Sequence, residues 1–105
     1  MSVNAQIELP AEMIVTFCRK WQIDELALFG SVLRDDFRPD SDIDVLVGFM
    51  PEVRPGILDL MQMKRQLVEI FGRNVDLVEK RAIEEDRNYI RRRHILQSAE
   101  VIYGS

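Results

Sequence analysis

The chain predicts an α/β (α+β) fold, a small mixed β-sheet backed by helices, and three observations carry that expectation. Stretches with apolar residues at helical spacing alternate with short apolar runs of strand length. Gly and Pro punctuate the junctions between them. The 105 residues suffice for one core but not for a second substrate-binding unit, so residues 1–105 are expected to form a single domain.

The elements follow in order. Pro10 suits a first helical turn, and Met13, Ile14, Phe17, Cys18 and Trp21 recur at helical spacing, which predicts a helix over residues 10–21. The apolar run 26–29 ends at Gly30 and reads as a strand. Residues 31–37 fit a short helix, "RPDS" a turn, and Ile43–Phe49 a second strand. After the loop "MPEVRPG", the residues Ile57, Leu60, Met61, Leu67, Val68 and Phe71 mark a long helix that Gly72 is placed to end. "NVDLVEK" reads as a third strand. A last helix is expected from about residue 84 to 103, with Ile95, Leu96, Ala99, Ile102 and Tyr103 on one stripe.

Composition excludes several kinds of chemistry. A net charge of −4 argues against nucleic acid as the main ligand, because that affinity depends on Lys and Arg neutralising phosphates. One cysteine and one histidine cannot build a Cys/His zinc site, and Cys18 has no internal disulfide partner. No apolar run approaches the length of a membrane span, and "MSVNAQIELPAEM" lacks the basic-then-apolar order of a leader. A cytoplasmic protein that does not engage membranes is expected.

The chemistry concentrates in "LFGSVLRDDFRPDSDIDVLV". Residues two apart in a strand share a face, so Asp42 and Asp44 are expected to project their carboxylates together, with Ile43 opposed. Like charges that close call for neutralisation. An all-oxygen donor set favours a hard cation, and Mg²⁺ characteristically takes one or two carboxylates together with substrate phosphates. A nucleoside triphosphate is the implied ligand. Gly30 permits close approach of backbone to phosphate, and Ser31 adds a hydroxyl donor. Asp76, between Val75 and Leu77, repeats the pattern of a carboxylate within an apolar strand. Three carboxylates suit two metals about 4 Å apart, the arrangement that stabilises both the attacking and the leaving oxygen in displacement at phosphorus. No GxxxxGK[ST] stretch is present, which excludes a P-loop enzyme.

Gly30-Ser31, ten intervening residues and then Asp42-x-Asp44 closely resemble the motif of the DNA polymerase β-like nucleotidyltransferase superfamily. With "VDLVEK" and "ILQSAEVIYGS" the whole chain resembles a minimal nucleotidyltransferase of the MntA antitoxin type. The resemblance implies the polymerase β-like nucleotidyltransferase fold. It implies that Gly30 and Ser31 contact nucleotide phosphates, that Asp42 and Asp44 bind Mg²⁺, and that Asp76 is the third carboxylate, associated with activating an acceptor hydroxyl. It further implies transfer of AMP from ATP to a hydroxyl, expected to be a tyrosine, of a HEPN-domain RNase toxin. The alternatives are a binding module that masks the toxin, or transfer to another acceptor. Relatives commonly carry glycine where this chain has Asp35, which bears on the shape of the phosphate loop.

Other charged stretches have ordinary readings. Arg34 and Arg38 suit either a triphosphate or pairing with Asp35, Asp36 or Asp40. "RNYIRRRH" reads as a solvated helix face paired with Glu84, Glu85 and Asp86, the alternative being a basic patch that touches a nucleotide or partner. Met50, Met61 and Met63 read as filler in core or contact surfaces.

Overall fold

The computed structural model describes residues 9–33 and 41–104, the side chain of Ser31 excepted. Four strands form one sheet in the order β3-β2-β1-β4. They are β1 (Ile23–Phe29), β2 (Ile43–Phe49), β3 (Val75–Glu79) and β4 (Glu100–Gly104). β1 runs antiparallel to both β2 and β4, whereas β2 and β3 are parallel. A parallel pair needs a crossover, and α2 (Ile57–Phe71) supplies it. The sheet is therefore mixed, as expected.

Side-chain alternation divides the sheet into two faces. Ile43, Val45 and Val47 of β2 join Leu26 and Leu28 of β1 in a cluster closed by Ile14, Phe17 and Cys18 of α1 (Ala11–Lys20) and by Met63 and Leu67 of α2. The intervening positions face the other way, where Ala27 and Leu46 meet Ile83 of α3 (Lys80–Glu84) and Ile95 of α4 (Tyr89–Ser98). Burial pushes the Cys18 thiol up to about 12, so it stays a protonated core group. α2 ends where the pattern predicts: Gly72 adopts φ +71° and its N–H returns to the Val68 carbonyl, a left-handed cap that suits a residue without Cβ. Among the described residues no helix is long and apolar enough to cross a membrane.

The C-terminal expectation is corrected. The predicted helix over residues 84–103 is instead the last residue of α3, a break, the short helix α4 and a strand. Asn88 caps α4 by accepting from the Arg91 N–H at 3.1 Å, and the Asp86 side chain accepts from the Asn88 N–H at 2.9 Å, so the chain breaks before Tyr89. α4 stops at Ala99, whose ψ of 137° is extended. Val101, Ile102 and Tyr103 then enter β4, with Tyr103 opposite Leu26 and Ile102 buried in the larger cluster. β-branched and aromatic side chains suit the pleat, and β4 satisfies backbone groups that β1 would otherwise present as an open edge. The first strand is also longer than its apolar run, beginning at Ile23. The expected helix over residues 31–37 is, as far as it is described, a 3-10 turn at Gly30–Leu33; the rest of it, the "RPD" part of the turn, Arg34, Asp35 and Arg38 lie outside the described residues.

The Arg91–Asp86 ion pair, 3.4 Å, matches one of the pairings expected for the basic stretch. Met63 is core, whereas Met50, Met61 and Ile57 are exposed.

Candidate active site

One end of the sheet gathers the predicted residues, and strand register is what gathers them. Asp44, the second residue of β2, lies opposite Asp76 of β3 in the parallel pair and opposite Phe29 of β1 in the antiparallel pair. Register neighbours project to the same face. Asp44 and Asp76 therefore stand side by side on the face that carries Ala27, Leu46 and Val78. Asp42 sits just before β2 and is exposed. It lies outside β2, so the strand's alternation does not fix the side to which its carboxylate turns.

Gly30 meets this group from β1. It follows Phe29 directly, adopts φ +78°, and begins the 3-10 turn to Leu33. A Cβ built at Gly30 would overlap the Asp44 carboxylate, so glycine is required twice over, by its backbone conformation and by the space the carboxylate occupies. The backbone of Ser31 follows in the same turn. The N–H groups that open such a turn have no partners within it, and they are natural donors to phosphate oxygens.

Among the described residues no three His, Cys, Asp or Glu side chains converge closely enough to form a ready metal cage. The donor set nonetheless fits a hard divalent cation, being carboxylate oxygen alone on the ends of two adjacent strands. A cation that also takes substrate phosphate oxygens does not require a complete protein cage. Phe29 is the site neighbour that sequence reasoning missed; it is half-buried, packs against the smaller cluster and lies beside Asp44. Its position one residue before Gly30, at the end of a strand, was the available signal.

A strand end with a glycine turn beside paired carboxylates defines a protein of phosphoryl or nucleotidyl transfer. The sequence profile of the nucleotidyltransferase domain matches residues 11–98, and the chain belongs to that family. A Methanocaldococcus jannaschii protein provisionally named as a protein adenylyltransferase is 31% identical over 80 residues, which span 68% of this chain and 80% of that one. The protein adenylyltransferase MntA of Thermococcus cleftensis is 34% identical over 65 residues, 62% of this chain and 64% of its own. Among solved structures, a chain of a toxin-antitoxin complex with AMP-PNP superposes with a TM-score of 0.70 at 19% identity, covering 92% of this chain and 75% of that one. A chain from the complex of the tri-AMPylated Shewanella oneidensis HEPN toxin with its MNT antitoxin gives 0.62 at 18% identity, covering 90% and 70%. At those identities the likeness establishes the fold.

Proposed function

We propose that this nucleotidyltransferase is a cytoplasmic protein adenylyltransferase, the antitoxin of a toxin-antitoxin pair, which moves AMP from ATP to a hydroxyl side chain, expected to be a tyrosine, of a HEPN-domain toxin. The observation that carries the reading is the register of Asp44 with Asp76, with the Gly30 backbone held against Asp44. The names of the protein adenylyltransferase relatives support the choice of acceptor class.

In the reaction the acceptor oxygen forms a bond to the α-phosphorus of ATP, the bond from that phosphorus to the bridging oxygen breaks, and pyrophosphate leaves. Gly30 lets the turn approach the phosphates closely, and its neighbour Ser31 supplies further donors, so the leaving group is held in line with the attacking oxygen. Asp76, on the outermost strand of the site, takes up the proton of the acceptor hydroxyl. Asp42, Asp44 and Asp76 are the residues that would hold Mg²⁺. Mg²⁺ supplies neutralisation of the charge that builds on the phosphate oxygens.

The test is transfer of label from [α-³²P]ATP to a HEPN-domain toxin in the presence of Mg²⁺. Wild-type protein should label many toxin molecules per enzyme, and Asp44→Asn should lower the rate by roughly 10²–10³-fold with the circular dichroism spectrum retained. Protection of the toxin that is stoichiometric, leaves its mass unchanged and is equally strong with Asp44→Asn would replace this reading with that of a masking module.

A further inference from the structure

β3 is an outer strand: among the described residues it pairs with β2 alone, so the backbone groups along its far side have no strand partner. Beside that edge runs a groove of about 380 Å³ lined by Leu77, Val78 and Glu79 of the strand, by Ile57 and Met61 of α2 and by Ala82 of α3. Consecutive strand residues point to opposite faces. A groove that touches three in a row therefore follows the strand's edge instead of lying on one face. Ile57 and Met61 flank it with 77% and 59% of their surfaces exposed, although the helix that carries them buries Met63 and Leu67 completely. An open backbone edge with an apolar wall is the combination that recruits an extended peptide as an added strand.

We infer that the outer edge of β3 docks an extended segment of the acceptor protein by strand addition, and that this pairing delivers the hydroxyl to the site. The inference rests on the adenylyl-transfer reading for its choice of occupant. Continuity of the edge with the site supports that choice, because Asp76 lies on the same strand, in register with Asp44. A residue of the added strand opposite Asp76 projects its side chain to the face that carries both carboxylates. A second copy of this chain is the poorer occupant. Symmetric antiparallel pairing of β3 with itself about Leu77 would make the two Asp76 carboxylates diagonal neighbours on one face, where like charges repel.

The experiment uses the full chain with a HEPN-domain toxin. Backbone amide exchange should slow within Val75–Glu79 when the toxin is added. Ile57→Glu and Met61→Glu, both at exposed positions, should each raise KM for the toxin on the order of tenfold and leave kcat at saturating toxin unchanged. Unaltered exchange in β3, or unaltered KM in both variants, overturns the inference. Slowing that depends on the concentration of this protein alone overturns it in favour of self-pairing. If β3 amides are protected by a toxin that acquires no AMP, the docking edge stands and the adenylyl-transfer reading falls.

Discussion

The two faces of the sheet are built for different ends. Among the described residues, fifteen buried ones form one continuous cluster toward α1 and α2, whereas toward α3 and α4 only Ala27, Leu46, Ile83 and Ile95 are buried together, and the same face carries Asp44 and Asp76. The first face holds the fold, and the second carries the candidate site. A site whose residues are exposed or half-buried contributes little to the core, so its side chains can be changed without unfolding the protein, and function and stability should separate by face.

Substitutions can break or sharpen that contrast. Leu28→Ala on the thick face should cost about 2–5 kcal/mol in chemical denaturation, with transfer kinetics of the remaining folded protein largely retained. Gly30→Val strikes the other face. Its side chain must displace the Asp44 carboxylate, and transfer should fall roughly 10²-fold, a larger loss than Ser31→Ala produces by removing one hydroxyl. The reverse order in a kinetic comparison of folded variants would mean that the turn does not position the nucleotide. Ile95→Ala, in the thin cluster, should cost about 2 kcal/mol, near the lower limit for such truncations. Arg91→Ala removes only a surface ion pair with Asp86 and should shift stability by less than about 1 kcal/mol.

The same contrast governs what could be read from the sequence. β2 and α2 were legible to their ends, because Ile43–Phe49 is a largely apolar run of strand length behind a turn signal and Gly72 closes a helical pattern. So was the proximity of Gly30 to Asp44, carried by spacing within one stretch of chain. The C-terminal strand was not. The spacing of Ile95, Leu96, Ala99, Ile102 and Tyr103 satisfies a helix straight through the break at Ala99, and what makes 100–104 a strand is the open edge of β1, which lies far away in sequence. Strand status there is a tertiary decision. The pairing of Asp44 with Asp76 belongs to the same category. Each carboxylate is visible alone, but their adjacency depends on the parallel register of β2 with β3, which α2 and its loops set. Arg81 helps to fix one of those loops, donating to the carbonyls of Val53 at 3.0 Å and Met50 at 3.3 Å, and no sequence motif announces it.

The central claim is that Asp44 and Asp76, brought together by register, act as one unit on the nucleotide. Its most direct measurement is a double-substitution cycle: transfer rates from ATP to the toxin for wild-type protein, Asp44→Asn, Asp76→Asn and the combined variant, each checked for folding. Groups that work together give strongly non-additive losses, so the combined variant should be little worse than the more damaged single one, with each single loss on the order of 10²-fold or greater. Full activity in Asp76→Asn, or single losses that simply multiply in the combined variant, would contradict the account.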